Sequence, residues 1–342
     1  MKKRFLDCHT IRRRYSPRAF FPLGAGVSDI AIEVQDLVKI FRRKNHEPIE
    51  AVSGLSFRVL RGEIYGLLGP NGAGKTTTIK ILTTLLAPTS GAARVMGHDV
   101  VAEPLAVRRQ TCVVLQENAI ELYLSVRNNF CTFGRFHGLR VQEIERSLDR
   151  LSELFGLRDY LNEKGMDLSG GLRRRVQVAK TFMVDKPVVF LDEATTGMDA
   201  FNKRTTLEAI KEESRKGRTI VLTTHLLEEA EELCDSVAIM NHGTIIARGS
   251  VEDVKSMGLR LLYLSLSLER ISDDVVQAIR HRQPLNVEIK NNTVEVTVRE
   301  AALALDILAA VRETGHLRHF EITSASLEDV FVQLVDREGS AG

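Results

Sequence analysis

The sequence predicts an α/β protein, with a parallel sheet that carries a glycine-rich loop and a small α+β domain after it. Three observations lead to this fold class. A glycine-rich segment, residues 69–77, separates a short apolar strand from a helix-like segment. A second apolar strand, residues 187–191, ends in two carboxylates. Near residue 256 the pattern of alternating strands and helices restarts.

Composition describes an ordinary globular protein and excludes several classes. The chain has 342 residues, 44% of them hydrophobic and 27% charged, which suits one large and one smaller domain. The net charge of +2 gives no reason to expect nucleic-acid binding. No apolar run approaches the roughly 20 residues of a membrane span, so membrane association is expected through a partner or a surface contact. The cysteines are scattered and predict free thiols in a reducing compartment: Cys8, Cys112, Cys131 and Cys234.

The N-terminal extension, residues 1–29, is rich in arginine and lysine and poor in acidic residues. It lacks an apolar stretch long enough for a secretory signal. A flexible basic tail, a contact with anionic lipid and an organelle transit peptide all fit this composition.

The glycine-rich segment fits the pattern G-x-x-x-x-G-K-[ST] without a mismatch. A strand (64–68) precedes it and a helical segment (77–86) follows, so its backbone N–H groups and the helix N-terminus suit a polyphosphate. Lys75 would reach the outer phosphates of ATP or GTP, and the Thr76 hydroxyl would bind Mg²⁺. The predicted nucleotide-binding residues here are Gly69, Pro70, Asn71, Gly72, Ala73, Gly74, Lys75, Thr76 and Thr77.

The strand with two terminal carboxylates supplies a second part of an ATPase site. In a P-loop fold such a strand is expected beside the P-loop strand. Asp192 would then hold Mg²⁺, through water. Glu193 would point at the γ-phosphate and polarise the attacking water.

A second anion-binding helix start occurs further along the chain. Ser169 is a predicted N-cap, and Gly170 and Gly171 let backbone amides approach an anion closely. One ATP rarely needs two such sites from a single subunit. The sequence therefore predicts a head-to-tail homodimer in which this loop closes on the nucleotide held by the partner's P-loop.

These motifs, in this order and over residues 30–252, resemble the nucleotide-binding domain of ATP-binding-cassette (ABC) proteins, a P-loop NTPase fold. The resemblance implies that Gln116 contacts the metal and its water and acts in catalysis, and that His225 binds the γ-phosphate. It also implies that Asp199 reaches the partner's P-loop and that Phe41 stacks on adenine. Three residues depart from the family pattern: Leu172, Ala194 and Met198. The effect of Ala194 beside Glu193 stays open.

The remaining cassette segments fit the same fold. Alternating apolar residues predict an antiparallel β region over 30–62. Residues 117–180 predict a helical subdomain, in which the resemblance places the contact with a membrane permease at 124–129. The acidic residues within 224–233 predict a solvated helix face rather than a second metal site. Residues 237–247 predict a hairpin.

The C-terminal part, residues 256–342, follows a β-α-β-β-α-β order and predicts a ferredoxin-like domain. Its closing stretch, 325–331, resembles ATPase subunits of bacterial drug-export systems of the daunorubicin-resistance type. With the cassette at 30–255, this implies the ATPase subunit of a two-polypeptide exporter. It would hydrolyse ATP with Mg²⁺, be peripheral on the cytoplasmic face of the membrane, and drive an integral membrane permease.

Other functions stay open at this point. A soluble ABC ATPase acting on nucleic acid or ribosomes is one, although the chain has a single cassette and neither a coiled coil nor a zinc module. A nucleotide-binding regulator without ATP turnover would lack the carboxylate of Glu193 or the imidazole of His225, and this chain has both. An importer ATPase often carries a C-terminal β-barrel, whereas the α+β tail here favours export. The cargo cannot be read from this chain, and drug, antibiotic, lipid and polysaccharide all fit.

Overall fold

The structure is a computed structural model that describes residues 29–42, 46–117, 119–257, 261–314 and 316–339. The N-terminal extension up to residue 28 and Cys8 lie outside the described residues. The strands are β1 (Ile30–Phe41), β2 (Ile49–Leu60), β3 (Ile64–Leu68), β4 (Ser90–Val95), β5 (His98–Asp99), β6 (Thr111–Val114), β7 (Val188–Asp192), β8 (Thr219–Thr224), β9 (Ser236–Asn241), β10 (Thr244–Ser250), β11 (Leu262–Leu268), β12 (Asn286–Lys290), β13 (Thr293–Val298) and β14 (Leu317–Ser324). The helices are α1 (Lys75–Leu82), α2 (Pro104–Gln110), α3 (Val126–Phe136), α4 (Val141–Leu154), α5 (Gly170–Thr181), α6 (Ala200–Ser214), α7 (Leu227–Leu233), α8 (Val251–Met257), α9 (Asp273–Arg280), α10 (Ala301–Glu313) and α11 (Leu327–Gly339).

The central sheet has the strand order β10-β9-β3-β8-β7-β6, with every pair parallel except β10 and β9. The expected adjacency of the carboxylate strand β7 to the P-loop strand β3 is wrong, because β8 lies between them. Since β7, α6 and β8 form one strand–helix–strand unit, β8 is placed next to β7. The other edge of β8 then pairs with β3. The site therefore spans three neighbouring strands.

The antiparallel region predicted over residues 30–62 is confirmed as the pair β1 and β2, and the later strands β4 and β5 extend it to a four-stranded sheet of order β2-β1-β4-β5. Its inward side chains, such as Val34 and Phe57, form one hydrophobic core with residues of the P-loop helix and the central sheet, such as Ile79 and Phe190. Phe57 also stacks on Tyr65 of β3, with ring centroids 5.5 Å apart. This packing fixes β2 close to the P-loop.

The helical subdomain consists of α3, α4 and α5 with a short 3-10 helix (Arg158–Tyr160). Leu148, Leu151 and Phe155 recur at helical spacing and are fully buried, as the pattern predicts. Phe155 stacks on Phe182, just after α5, at a centroid distance of 5.9 Å. The subdomain shares this hydrophobic core with the other face of the central sheet.

The C-terminal strands form a separate antiparallel sheet of order β12-β13-β11-β14. This is the arrangement of a ferredoxin-like fold, as the sequence predicts, and it has its own hydrophobic core with residues of α9 and α10. The last helix, α11, packs instead on α7 and α8, and its Leu327 and Val330 belong to the core of the cassette. Within the described residues, no helix is long and apolar enough to cross a membrane.

Candidate functional site

The glycine-rich loop runs from the end of β3 to the start of α1 with three glycines at positive φ: Gly69 at 143°, Gly72 at 83° and Gly74 at 101°. A Cβ on Gly69 would lie 2.2 Å from the Met240 carbonyl oxygen, and one on Gly74 would lie 2.3 Å from that of Ala51. These positions therefore require glycine for both conformation and space. No side chain caps α1 at Gly74, so the first amides of the helix face the loop.

Helix α1 differs from its prediction at both ends. It begins at Lys75 rather than Thr77, since the lysine itself forms the first turn of the helix. It ends at Leu82 rather than at residue 86, because Thr84 adopts a left-handed backbone with φ of 63° that a continuing helix cannot accommodate.

Lys75 lies across the loop and is 5% exposed. Its Nζ donates to the carbonyl oxygens of Gly69 at 2.7 Å and Pro70 at 3.0 Å. Burial lowers the pKa of Lys75, and the nearby carboxylates of Glu193 and Asp192 oppose that shift. The ammonium is thus held at the loop by main-chain acceptors that a phosphate oxygen could replace.

Asp192, at the end of β7, is fully buried and joins the carboxylate strand to the P-loop helix. Its Oδ1 accepts from Thr76 Oγ1 at 3.1 Å and from Thr223 Oγ1, on the intervening strand β8, at 2.5 Å. Its Oδ2 is buried and has no hydrogen-bond partner. An orphaned buried carboxylate oxygen beside a threonine hydroxyl fits a hard cation such as Mg²⁺, which prefers oxygen ligands.

Glu193 follows with a positive φ of 52°, a strained conformation for a non-glycine residue. Its Oε2 accepts from Gln116 Nε2 at 3.0 Å and from Thr196 Oγ1 at 3.3 Å, and its Oε1 lies 3.5 Å from His225 Nδ1. The structure therefore brings the three residues predicted to be catalytic into direct contact around one carboxylate. Glu193 is thereby held in one orientation by partners on both of its carboxylate oxygens.

Three residues on the buried face of α5 hold the Gln116 segment, and sequence reasoning missed them. Arg174 donates to the carbonyl oxygens of Leu115 at 2.6 Å, Glu193 at 3.0 Å and also Asp192. Gln177 donates to those of Leu115 and Glu117, and Lys180 to that of Ala119. A polar residue every third position along a buried helix face was the signal that could have found them. Burial lowers the pKa of both Arg174 and Lys180.

The second glycine-rich loop caps α5 as predicted. Ser169 Oγ accepts from the Leu172 amide at 3.2 Å, and a Cβ on Gly171 would lie 3.1 Å from the Gly197 carbonyl oxygen. Ser169 and Gly170 are exposed, as is Asp199, which caps α6 through the Asn202 amide at 2.9 Å. Among the described residues, no hydrogen bond joins this loop to the P-loop of the same chain. Ser169, Gly170 and Asp199 therefore form a second, outward-facing surface, whereas Gly171 is buried against Gly197.

Phe41 ends β1 and is exposed, with Lys39 Nζ 5.3 Å from its ring centroid. It pairs with Ile49 of β2, the strand that contributes the Ala51 carbonyl beside Gly74. An exposed ring near the P-loop is available for stacking on a base.

The prediction that the acidic residues of 224–233 form a solvated face is wrong for one of them. Glu229 is 4% exposed and accepts hydrogen bonds from Thr195 and Thr224. It also pairs with Lys203 at 3.0 Å. Glu229 lies inside because it precedes Leu233 by four residues on the buried face of α7, which packs on β8 and α6.

Family models match two parts of the chain. Residues 52–196 match the family described as ABC transporter, and residues 249–335 match the C-terminal domain described as ATP-binding protein DrrA1-3-like. The daunorubicin/doxorubicin resistance ATP-binding protein DrrA of Streptomyces peucetius is 34% identical over 308 residues, 89% of this chain and 92% of that protein. The Nod factor export ATP-binding protein I of Cupriavidus pinatubonensis is 35% identical, over 86% of this chain and 89% of that protein.

Solved structures agree on the fold. An ATP-binding subunit of an ABC transporter superposes with a TM-score of 0.59 at 30% identity, covering 66% of this chain and 92% of that one. A dimeric bacterial ABC transporter cassette also superposes with a TM-score of 0.59, at 21% identity and over 64% of this chain and 98% of that one.

Proposed function

This chain belongs to the family of ABC transporter ATP-binding subunits, and on that premise we propose that it drives export through a separate membrane permease. Members of the family bind and hydrolyse ATP to power transport. The observation that carries the proposal is the group around Glu193, because one carboxylate contacts Gln116 and approaches His225 beside the unpartnered oxygen of Asp192. The relatives named for daunorubicin/doxorubicin resistance and for Nod factor export support the direction of transport.

At the site itself, the P-loop amides and Lys75 bind the phosphates of ATP. Thr76 and Asp192 would hold Mg²⁺, with Gln116 beside its water, and the ion would neutralise charge on the phosphates. Glu193 orients the attacking water and accepts its proton. His225 donates a hydrogen bond to the γ-phosphate and loses that contact when phosphate departs.

The outward-facing surface formed by the second glycine-rich loop and Asp199 supports a homodimer. Ser169, Gly170 and Asp199 are exposed in this chain and, together with Gly171, would contact the nucleotide or the P-loop of a second copy. A head-to-tail pair related by a two-fold axis then has two identical sites at one interface. Phe41 completes each site by stacking on adenine.

The permease would dock on the helical subdomain, at residues 124–129, as the family resemblance implies, and on the apolar surface beside them. Leu122, Tyr123 and Met166 form an exposed apolar patch, the subdomain patch, next to the start of α3. The Met166 amide donates to the Leu122 carbonyl oxygen at 2.8 Å, so two segments present the patch together, and Tyr123 is 82% exposed. Exposed aromatic and apolar side chains of this kind mark contact surfaces. The subunit would then lie on the inner face of the membrane.

The chain divides, in this proposal, into a basic extension (1–29), the cassette (30–255) and a C-terminal domain (256–342), which is ferredoxin-like except that its last helix, α11, packs on the cassette. The cassette performs the ATP chemistry, and its helical subdomain (117–180) transmits the change to the permease. Drug- or antibiotic-like and lipid-like compounds are the proposed cargo, because the match to the drug-resistance relative continues through the C-terminal domain.

Co-purification tests the assignment. The tagged protein, extracted from its native membranes with mild detergent, is expected to carry a polytopic membrane protein in stoichiometric amount. Tyr123→Glu should abolish that association. Leu105→Glu, at an apolar position 66% exposed on α2, should preserve it, and both variants should bind ATP normally. Association with ribosomes or nucleic acid in place of a membrane protein would overturn the transport assignment.

A further inference from the structure

We propose that Glu229 is a positioning residue for ATP hydrolysis, which fixes the loop after Glu193 and the strand end before His225 through one buried carboxylate. The inference rests on the proposed role of Glu193 as the base. It concerns a residue that has no contact with the proposed nucleotide site and that the sequence pattern marks as a surface glutamate.

The carboxylate of Glu229 has partners from three different segments. Thr195 Oγ1 lies 2.7 Å and 2.8 Å from its two oxygens, Thr224 Oγ1 donates to Oε2 at 3.1 Å, and Lys203 Nζ lies 3.0 Å from Oε1. Thr195 and Thr224 are themselves buried. A buried carboxylate with hydroxyl donors and an ammonium partner has its charge compensated, and it holds those donors in one arrangement.

Each partner lies within four residues of a residue of the proposed site. Thr195 follows Glu193 by two residues and Thr224 directly precedes His225. Lys203 lies on the first turn of α6, and its amide donates to the Asp199 carbonyl oxygen at 2.9 Å. Glu229 therefore connects the base, the histidine and the outward-facing Asp199 from behind the site.

Glu229 anchors the loop after Glu193, in addition to the hydrogen bond from Arg174 to the Glu193 carbonyl oxygen. The positive φ of Glu193, 52°, is costly for a non-glycine residue and persists only where the surroundings impose it. Ala194 follows, and alanine does not restrict its own φ as proline would. The hydroxyl of Thr195 is the first side-chain attachment of the loop to the protein interior, and its acceptor is Glu229.

A matched pair of variants at Thr195 isolates this hydrogen bond without creating an unpaired buried charge. Thr195→Val keeps the shape and removes the hydroxyl, and Thr195→Ser keeps the hydroxyl and removes a methyl group. Full-length protein with Mg²⁺ and ATP is assayed for kcat and KM, and ATP binding is measured separately. We expect Thr195→Val to lower kcat at least about tenfold, the loss of one hydrogen bond to a charged acceptor, with KM within about twofold. Thr195→Ser should restore most of kcat.

The outcomes separate this inference from the function on which it rests. If unaltered protein hydrolyses no ATP, the proposed function fails first. If the unaltered protein is active and Thr195→Val matches it, the positioning role is wrong. Equal losses in Thr195→Val and Thr195→Ser, or a fall in kcat matched by weaker ATP binding, would indicate a purely structural role and also overturn the inference.

Discussion

Gln116 and Glu193 are joined by a hydrogen bond of 3.0 Å from the amide Nε2 of the first to the carboxylate Oε2 of the second. The bond connects the segment after β6 to the end of β7. Arg174 binds the main chain of both segments, so the contact belongs to a larger hydrogen-bonded unit. A change at the helical subdomain that moves the Gln116 segment would therefore be felt directly at Glu193.

Replacement of the proposed base separates binding from turnover. Glu193→Gln keeps the size of the side chain and can still pair with Gln116, but it cannot accept a proton from water. We expect ATP affinity within about threefold of the unaltered protein, a fall in kcat of roughly a hundredfold or more, and a dimer that persists in ATP. Gel filtration with ATP measures the dimer, and a phosphate-release assay measures kcat. Full turnover in the variant would exclude Glu193 as the base.

Lys75 should act mainly on nucleotide affinity. Its ammonium is already held at the loop by two carbonyl oxygens, and a phosphate oxygen would be a stronger acceptor. Lys75→Ala should weaken ATP binding roughly 10–100-fold, the equivalent of about 1.5–3 kcal/mol. Equilibrium binding of a fluorescent ATP analogue measures it. Lys211→Ala, an exposed lysine on α6, is the control and should change nothing. Equal affinities in the two variants would contradict the assignment.

Arg174 should contribute to stability. It donates to three main-chain carbonyl oxygens, and its removal takes one charged donor from each of them. Arg174→Ala should lower the free energy of unfolding by about 2–4 kcal/mol in urea. Arg204, exposed on α6 and paired with Glu208 at 3.0 Å, provides a control, since loss of a surface ion pair costs about 1 kcal/mol or less. Similar midpoints for both variants would show that the Arg174 contacts carry no net stability.

The thiols should differ in reactivity. Burial raises the pKa of Cys112 to about 11, so about one molecule in a thousand carries its thiolate at pH 8. Cys131 is only half-buried, and burial raises its pKa as well. Iodoacetamide at pH 8, followed by peptide mass spectrometry, should label Cys131 well before Cys112. Reaction of Cys112 at the rate of Cys131 would mean that β6 opens in the native protein.

The local motifs of this chain could be predicted because their chemistry depends on consecutive residues. The glycine loop, the strand ending in Asp192 and Glu193, and the β-α-β-β-α-β tail are examples. The strand order could not be predicted, since no local pattern indicates that β8 separates β3 from β7. Thr223 was missed for the same reason, although it contacts Asp192 from that intervening strand.

The burial of charged residues could not be predicted from the sequence either. Glu229 and Arg174 look like solvated residues of polar helices, because hydropathy treats every charge as exposed. Their burial depends on partners far away in sequence, such as Thr195 for Glu229 and the Leu115 carbonyl oxygen for Arg174. Only the tertiary structure brings these groups together.

A mixing experiment tests most directly the central claim that two chains share each ATP site. Lys75→Ala damages the P-loop half of a site and Ser169→Arg damages the opposite half, so each variant alone should be nearly inactive. In an equimolar mixture, half of the dimers are mixed and have one intact site. We expect recovery of up to about a quarter of the unaltered ATPase rate, because half of the dimers carry one intact site out of two. A mixture as inactive as either variant alone, with mixed dimers demonstrated by two different tags, would contradict it.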